Sequence, residues 1–512
     1  MKKIITLILL LLPCYGIFAG TEAQQNIFTA TDTPKREFRG AWIQCVNGQF
    51  LGMSTQAMQA DLTNQLNELQ KDGINVIIFQ VRPECDALYN SEYEPWSRFL
   101  TGKQGVAPNP YWDPLQWMID ECHKRGMELH AWINPYRAKT KTTHELSPQH
   151  IVSTHPERAF EYDGLQILNP GLPENRKYIC DVVQDIVERY DVDGLHIDDY
   201  FYPYPVDGIA IPDHAQFNEY GRGFQNIRDW RRNNVNLFIK ELYDVIRSTK
   251  PWVKFGVSPF GIYRNKKESS DGSNTNGLTN YDGLYADVMC WIENDWLDYI
   301  VPQIYWQIGH NAADYKELIN WWNAHAGNRL LIVGEDVERT MKYADVDNPA
   351  NNQQYAKMQL SRSLPNVSGT CLWYSRAVVN NVGQYADQLK KVYFRRPSLQ
   401  PLMLWINEKS PKAPRKLKPV WTEDGYFLFW TAPKVKAKKG EEWRVKPVKY
   451  AVYKFSKGEK IDVSDASHLV AVTPNTFIKL PYDNGKVKYA YVVTSLNRTD
   501  NESKIAKKKV KL

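Results

Sequence analysis

The segment DVDGLHIDDYFYPYP, residues 191–205, places two adjacent carboxyl groups at the end of an apolar run. Side chains alternate along a strand, so His196 and Asp198 would share one face while the neighbouring apolar residues share the other. The apolar face should pack outward, which leaves His196 and Asp198 pointing inward and Asp199 free to turn either way. Because a buried aspartate is costly unless it is paired or hydrogen-bonded, we expect His196 or Arg82 to contact Asp198.

Glycoside cleavage requires two carboxyl groups, one to protonate the leaving oxygen and one to act as nucleophile or to activate water. Glu335 follows another apolar run, in the sequence GED, and would face the Asp198–Asp199 pair across the fold. We therefore predict Asp198 as nucleophile or central carboxylate, Asp199 as its support and Glu335 as acid and base. The same GED sequence can instead cap the next helix, because acids often start helices. The reserve candidates for the second carboxyl group are Glu84 and Asp86.

Aromatic and amide side chains fall at or near the ends of other apolar runs, and aromatic residues make up 13% of the chain. Trp and Tyr rings offer large apolar faces on which sugar rings stack, and a few amides suffice to orient such a ligand. Some of these rings will only pack the rim, and some amides will only be satisfied internally. The residues that we predict to bind substrate are Arg82, Trp132, Asn134, Tyr136, His196, Tyr200, Gln303, Tyr305, Trp306 and Trp373.

Eight short apolar runs, each followed by a segment with helical spacing, must position these side chains. The predicted strands cover residues 38–46, 74–83, 127–136, 192–200, 253–261, 298–306, 329–336 and 368–375. Eight consecutive strand–helix units predict an α/β fold of the (β/α)₈ TIM barrel type rather than an open sheet. The candidate residues lie at the carboxyl ends of the strands, where barrels of this type carry their active sites.

The sequence lacks the motifs of several other enzyme classes. The chain has no GxGxxG or GxxxxGK turn after a strand, no GxSxG elbow and no HExxH, so we predict no cofactor and no metal. Six cysteines after Cys14 are scattered without a CxxC pair, which favours buried free thiols. The net charge of +6 comes largely from a Lys-rich tail and is at most a cue for anionic surfaces, so we predict no nucleic-acid partner.

The first residues indicate export. Two lysines precede an apolar run and then small residues, which predicts a signal peptide over residues 1–23 and a location in the periplasm or cell envelope. Lipidation of Cys14, the alternative, would attach the chain to a membrane.

After residue 395 the pattern changes to a Pro- and Lys-containing linker, 396–414, and then to period-two runs that predict a small all-β sandwich over 415–512. The sequences APRKLKPVWTEDGYFLFW and YAYVVTSLNRTDNES resemble a fibronectin type III module. The resemblance implies a spacer or contact module without chemistry of its own.

The motifs FRGAWIQCV, GINVIIFQVRPECDALY, ELHAWINPYR, DGLHIDDYFYPYP, GVSPFGIYRN and DYIVPQIYW together resemble the glycosyl-hydrolase-like family 10, over residues 36–395. The resemblance implies a TIM barrel with glycosidase activity, and some bacterial members of that family cleave peptidoglycan strands stripped of their stem peptides. It carries over Asp198 and Asp199, because that motif is intact, whereas Glu335 rests on barrel geometry.

The prediction is an exported glycoside hydrolase that acts on a bacterial cell-wall glycan or another complex glycan. Two alternatives stay open: a non-catalytic barrel that binds glycan, and an amylase-like polysaccharide hydrolase.

Overall fold

The computed structural model describes residues 33–512, and its larger part is a closed barrel of eight parallel strands. The first eleven strands of the chain are β1 (Phe38–Ile43), β2 (Val76–Arg82), β3 (Glu128–Ile133), β4 (Arg137–Lys139), β5 (Ala159–Tyr162), β6 (Leu165–Leu168), β7 (Gly194–Ile197), β8 (Lys254–Val257), β9 (Tyr299–Ile300), β10 (Leu330–Asp336) and β11 (Val367–Trp373). The barrel order is β1-β2-β3-β7-β8-β9-β10-β11, and β11 pairs again with β1. Strands β4, β6 and β5 form a small antiparallel sheet in the connection after β3. The predicted TIM barrel is confirmed.

Helices follow the barrel strands and cover the outside. Their bounds are Thr55–Lys71, Arg98–Thr101, Pro114–Lys124, Ile151–Thr154, Pro173–Arg189, His214–Tyr220, Ile227–Thr249, Asn280–Gly283, Val288–Glu293, Tyr315–His325, Val337–Lys342, Gln354–Ser363, Ser375–Val379 and Tyr385–Gln388. Local chemistry sets several starts: the side chains of Ser54, Asp113 and Asp314 each accept a hydrogen bond from a backbone N–H of the first turn. Such N-caps satisfy donors that the helix itself leaves unpaired.

Alternation along the strands divides the core into two layers. One apolar cluster lies between the strands and the helices, whereas Phe38, Trp42, Ile78 and Ile332 belong to a separate cluster that fills the barrel interior. The interior is therefore packed with side chains, and its open end at the carboxyl termini of the strands is the barrel mouth.

The segment 396–414, predicted as a linker, is packed against both parts of the molecule. Met403 is 2% exposed and belongs to the cluster that fills the barrel interior, while Leu399 belongs to a cluster of the C-terminal part. Trp405 Nε1 donates to Asp298 Oδ1 at 2.8 Å. This segment therefore covers the end of the barrel opposite the mouth.

The C-terminal part has seven strands: β12 (Arg415–Thr422), β13 (Gly425–Thr431), β14 (Lys449–Ser456), β15 (Leu469–Thr473), β16 (Phe477–Lys479), β17 (Lys488–Leu496) and β18 (Ala506–Lys511). They form two antiparallel sheets, β12-β13-β16 and β15-β14-β17-β18, which share one apolar cluster. The predicted β-sandwich is confirmed. Arg498 forms ion pairs with Asp191 and Asp193 of the barrel, so the sandwich docks at the end opposite the mouth.

The predicted signal peptide and Cys14 lie outside the described residues. Within residues 33–512, no helix is both long enough and apolar enough to span a membrane. The six later cysteines are free, and all but the half-buried Cys290 are buried, as predicted.

Candidate active site

The carboxyl end of β7 brings two aspartates into the barrel mouth. β7 ends at Ile197, and Asp198 and Asp199 follow directly, with 6% and 1% of their surfaces exposed. His196 lies level with Trp132 of the neighbouring strand β3, so Asp198 is the next inward position above that pair.

Two side chains donate hydrogen bonds to Asp198, and two more hold one of these donors in place. Trp132 Nε1 donates to Asp198 Oδ2 at 3.2 Å, and Asn134 Nδ2 donates to the same oxygen. Asn134 Oδ1 in turn accepts from Gln80 Nε2 at 2.7 Å and from Arg137 Nη2 at 2.6 Å. The amide is thereby held with its N–H toward the carboxyl group, because its oxygen already has two donors.

Asp198 binds its proton more tightly than an ordinary aspartate does. Burial raises the pKa of Asp198 to about 7, Arg137 opposes this rise and the charge of Asp199 adds to it. A carboxyl group with a pKa near the working pH is suited to give up and take back a proton.

Asp199 is held from the other side of the mouth. The Tyr204 hydroxyl donates to Asp199 Oδ2, and the Gln303 side chain also hydrogen-bonds to this carboxyl group. Burial raises the pKa of Asp199 above its ordinary value, against these hydrogen bonds. Two adjacent buried carboxyl groups resist being charged together, so near neutral pH the pair tends to retain one proton.

The expected contacts of Asp198 with His196 and Arg82 are wrong. His196 is fully buried one layer deeper, where Trp42 Nε1 donates to its Nε2 at 3.4 Å and the Tyr299 hydroxyl lies 3.1 Å from its Nδ1. Burial lowers the pKa of His196 well below its ordinary value, so the ring is neutral. His196 supports the floor of the mouth and is not exposed to a ligand.

Arg82 lies behind the mouth. Its guanidinium forms a buried ion pair with Glu94, at 2.6 Å, and donates to the backbone oxygens of Asn134 and Pro135. Arg82 has no exposed surface, and its N–H groups are taken by these partners. It therefore holds the chain after β3 in place and does not reach a substrate.

The structure also contradicts the place assigned to Glu335. Ile332 points into the barrel interior, so alternation directs Glu335 outward, between the strand and the helices. There its carboxyl group pairs with Lys357 at 3.2 Å and accepts a hydrogen bond from the Tyr315 hydroxyl. Glu335 is 2% exposed and does not reach the mouth.

Asp336 is the acid of β10 that faces the mouth. It pairs in register with Trp373 of β11, a residue packed against the interior cluster. Its Oδ1 accepts from the backbone N–H of Arg339 at 2.9 Å, so it also caps the helix Val337–Lys342. The capping function that the sequence allowed for GED belongs to Asp336.

Three further predicted residues do not line the mouth. Tyr136 is fully buried and packs edge-on against Phe238 of an outer helix, with ring centroids 5.1 Å apart. Glu84 accepts from the Thr143 hydroxyl at 2.7 Å, and Asp86 accepts from Gln104 Nε2 at 2.9 Å. Both reserve acids are fully buried and tie together the long connections around the barrel rim.

Aromatic rings form the surface around the carboxyl groups. Tyr305 stacks on Trp373 with centroids 6.3 Å apart and an interplanar angle of 25°, while Trp42 and Trp132 meet Trp373 edge-on. Burial raises the pKa of Tyr305 well above its ordinary value. The charges that add to this rise are those of Cys371, Asp199, Asp336 and Asp198. The phenol of Tyr305 is therefore near enough to the three aspartates to be affected by their charge.

The remaining predicted rings border the mouth. Tyr200 is 38% exposed, packs against Tyr204 at 5.3 Å and lies under the guanidinium of Arg137 at 5.2 Å. Trp306 meets Phe260 edge-on at 5.5 Å. A cavity of about 330 Å³, lined by residues that include Tyr200, Tyr204 and Arg137, adjoins this border and has room for part of a sugar chain.

The site contains residues that sequence reasoning did not select. Arg137, Tyr204 and Asp336 lie within the quoted segments NPYR, DDYFYPYP and GED. Arg137 was detectable as a cation just after a strand end, and Asp336 by applying alternation to β10. Within residues 33–512, no group of three or more His, Cys, Asp or Glu side chains is arranged to hold a metal ion.

Sequence matches to known proteins cover most of this chain. Residues 37–356 match the family described as Glycosyl hydrolase-like 10. The chain is 37% identical over 506 residues to "Glycosyl hydrolase YngK" of Bacillus subtilis strain 168, which covers 97% of this chain and 98% of that protein. It is 38% identical over 337 residues to "Glycosyl hydrolase DigH" of Escherichia coli K12, which covers 62% of this chain and 76% of that protein. Among solved structures, the catalytic domain of a β-amylase from Paenibacillus polymyxa aligns with 70% of this chain and 99% of its own, with a TM-score of 0.47 and 11% identity.

Proposed function

Because this chain belongs to the Glycosyl hydrolase-like 10 family and is a glycoside hydrolase, we propose that Asp198 is its catalytic acid and that its substrate is a cell-wall glycan of the denuded peptidoglycan type. The observation that carries the proposal is the buried Asp198 at the mouth, with a pKa of about 7 and a surround of aromatic rings.

In this proposal Asp198 protonates the glycosidic oxygen of the leaving group. Both strong donors, Trp132 and Asn134, bind its Oδ2, whereas Oδ1 has only the Tyr200 backbone N–H at 3.5 Å. The acidic proton therefore resides on Oδ1 and passes to the glycosidic oxygen as the bond to the anomeric carbon breaks. Burial, with a smaller contribution from the charge of Asp199, keeps the pKa of Asp198 high, so that the proton is present at neutral pH.

Asp336 is the second carboxyl group in this proposal. It reaches the mouth from β10, three strands along the barrel from β7, so the scissile bond can lie between it and Asp198. Its carboxylate either attacks the anomeric carbon or takes a proton from water. Tyr305, which stacks on Trp373 and is affected by the charge of the aspartates, is the ring that we expect to contact the sugar near the reacting centre.

Two features support a long glycan as substrate. The stacked Tyr305 and Trp373 offer apolar faces to sugar rings, and the cavity beside Tyr200 continues the mouth toward a further sugar unit. The predicted export of the chain would bring it to the cell envelope. The seven-strand order of the C-terminal sandwich, three strands against four, supports a fibronectin type III-like module.

A glycan panel tests the substrate class. Purified enzyme is incubated with denuded peptidoglycan, intact peptidoglycan, chitin and amylose, and new reducing ends are measured. We expect release from denuded peptidoglycan at a rate at least tenfold above that from amylose. Release from amylose alone would support the amylase-like alternative, and glycan binding without any new reducing ends would support a non-catalytic protein.

A further inference from the structure

A cluster of exposed aromatic rings lies on the C-terminal sandwich, far from the barrel mouth. Trp421 of β12 pairs in register with Tyr426 of β13, and their rings stack at 4.8 Å with an interplanar angle of 25°. Tyr482 from the loop before β17 packs on both rings, at 4.8 and 5.7 Å. We call Trp421, Tyr426 and Tyr482 the aromatic platform.

The aromatic platform is open to solvent. Trp421 is 58% exposed and Tyr482 is 44% exposed, although rings of this size usually bury most of their surface. β17 begins at Lys488, beside the Tyr482 loop, and ends at Leu496, just before the residues that dock on the barrel. A strand of this length separates the aromatic platform from the barrel by roughly 26 Å.

A lysine side chain borders the aromatic platform. A Cβ added to Gly485 would lie 3.4 Å from the Tyr482 hydroxyl and 3.9 Å from Lys511 Cε, so Lys511 approaches the platform at Tyr482. Lys479 pairs in register with Phe427 and therefore lies on the other face of β13, with Phe477. Lys511 is exposed, and an ammonium group next to aromatic rings is suited to bind a ligand that carries both sugar rings and carboxylates.

The positive charge of the chain is concentrated in the C-terminal sandwich. Residues 415–512 contain 22 Lys and Arg against 10 Asp and Glu, whereas residues 1–414 contain 42 against 48. Strand β18, which lies beside β12, exposes four lysines, and these outnumber the acids Glu423 and Asp424 of the turn between β12 and β13. The excess positive charge therefore belongs to the part of the molecule that carries the aromatic platform, and it complements an anionic polymer.

We propose that the aromatic platform, with Lys511, is a second glycan-binding site that holds an acidic, carboxylate-bearing polysaccharide strand while the barrel cleaves it. The proposal rests on the proposed function in one respect, since it takes the bound strand to be of the same class as the substrate. Rings that stack on sugars supply the contact area, and Lys511 selects strands with carboxylates over neutral ones.

Binding to insoluble glycan tests the site in the full chain. The Asp198→Asn protein is used as the parent, so that the glycan is not consumed, and it is mixed with denuded peptidoglycan or with uncharged chitin in a sedimentation assay. We expect Trp421→Ala with Tyr482→Ala to weaken binding to denuded peptidoglycan about tenfold, since two stacking contacts are lost. Trp421→Phe should retain most of the affinity. Lys511→Gln should weaken binding at low salt and reduce its salt dependence.

Matched measurements separate this site from the active site. Phe477→Ala removes another exposed ring of the same sandwich, packed on Phe427 and Phe429, and should bind as the parent does. In the otherwise wild-type enzyme, the platform variants should cleave short soluble fragments at the normal rate and insoluble strands more slowly. Unchanged binding by the double-alanine variant, equal loss with Phe477→Ala, or binding to phosphatidylglycerol vesicles instead of glycan would overturn the proposal. Glycan binding that depends on Trp421 without any hydrolysis by the wild type would uphold this site and refute the proposed function.

Discussion

Groups from several strands set the proton affinity of Asp198. Trp132 and Asn134 come from the end of β3, Arg137 from β4, and Asp199 follows in the chain itself. Burial is the largest influence, and the donors and the cation reduce its effect without removing it. As a result, Asp198 stays protonated in the folded protein at pH values where a solvent-exposed aspartate is ionised.

That proton makes stability depend on pH in a predictable direction. The pKa of Asp198 is about 7 in the folded protein and about 3.9 in an unfolded chain, so the folded state binds the proton more tightly. Its contribution to stability is complete below the unfolded value and is lost as the pH rises toward 7. Relative to Asp198→Asn, the wild type should lose about 2 to 3 kcal/mol of unfolding free energy between pH 5 and pH 8.

Urea unfolding of both proteins at several pH values measures this difference. Asp86, whose pKa burial also raises to about 7, titrates in both proteins and cancels in the comparison. Unfolding free energies that run parallel from pH 5 to pH 8 would contradict the assigned proton affinity of Asp198.

At the scale of the element, the alternation of β10 separates two adjacent acids. Glu335 points outward to Lys357 of the helix Gln354–Ser363, and Asp336 points to the mouth beside Trp373. Glu335 attaches the strand to an outer helix, whereas Asp336 lies at the mouth, where it also caps the helix Val337–Lys342 and pairs with Arg339 at 3.5 Å.

Substitution at these two positions should give opposite phenotypes. Glu335→Gln leaves Lys357 buried without its counter-charge and should cost about 3 to 5 kcal/mol of unfolding free energy, with kcat within about twofold of the wild type. Asp336→Asn keeps a good helix cap and should leave stability nearly unchanged while kcat falls at least a hundredfold. Chemical unfolding and initial rates on the same preparations measure both effects.

The control for Glu335 is the double variant Glu335→Gln, Lys357→Met, which removes both charges and should recover most of the lost stability. A large fall in kcat for Glu335→Gln, with stability intact, would show that Glu335 is catalytic and would contradict the outward direction assigned to its side chain.

Local patterns in the sequence were enough to predict the barrel, the β-sandwich and the inward direction of Asp198. Those features depend on periodicity within one segment, which the sequence displays directly. The predicted direction of the Glu335 side chain was wrong because we gave more weight to its carboxyl group than to the alternation of side chains along β10. Arg82 and Tyr136 were misplaced because their partners, Glu94 and Phe238, come from distant segments, and such contacts leave no local pattern.

At the scale of the whole molecule, the two ends of the barrel differ in chemistry. The mouth carries Asp198, Asp199 and Asp336 among aromatic rings, whereas Met403 plugs the opposite end and ion pairs of Arg498 dock the sandwich there. The sandwich thus leaves the mouth unobstructed, and its positive charge lies beyond the opposite end of the barrel.

The most direct test of the central claim is the rate at which Asp198→Asn releases reducing ends from the glycan that the wild type cleaves. Asparagine preserves the size of the side chain but has no acidic proton to transfer. We expect kcat to fall about 10²- to 10⁴-fold at pH 7, the usual contribution of a general acid, with folding intact by circular dichroism. A kcat within tenfold of the wild type would contradict the assignment of Asp198 as the catalytic acid.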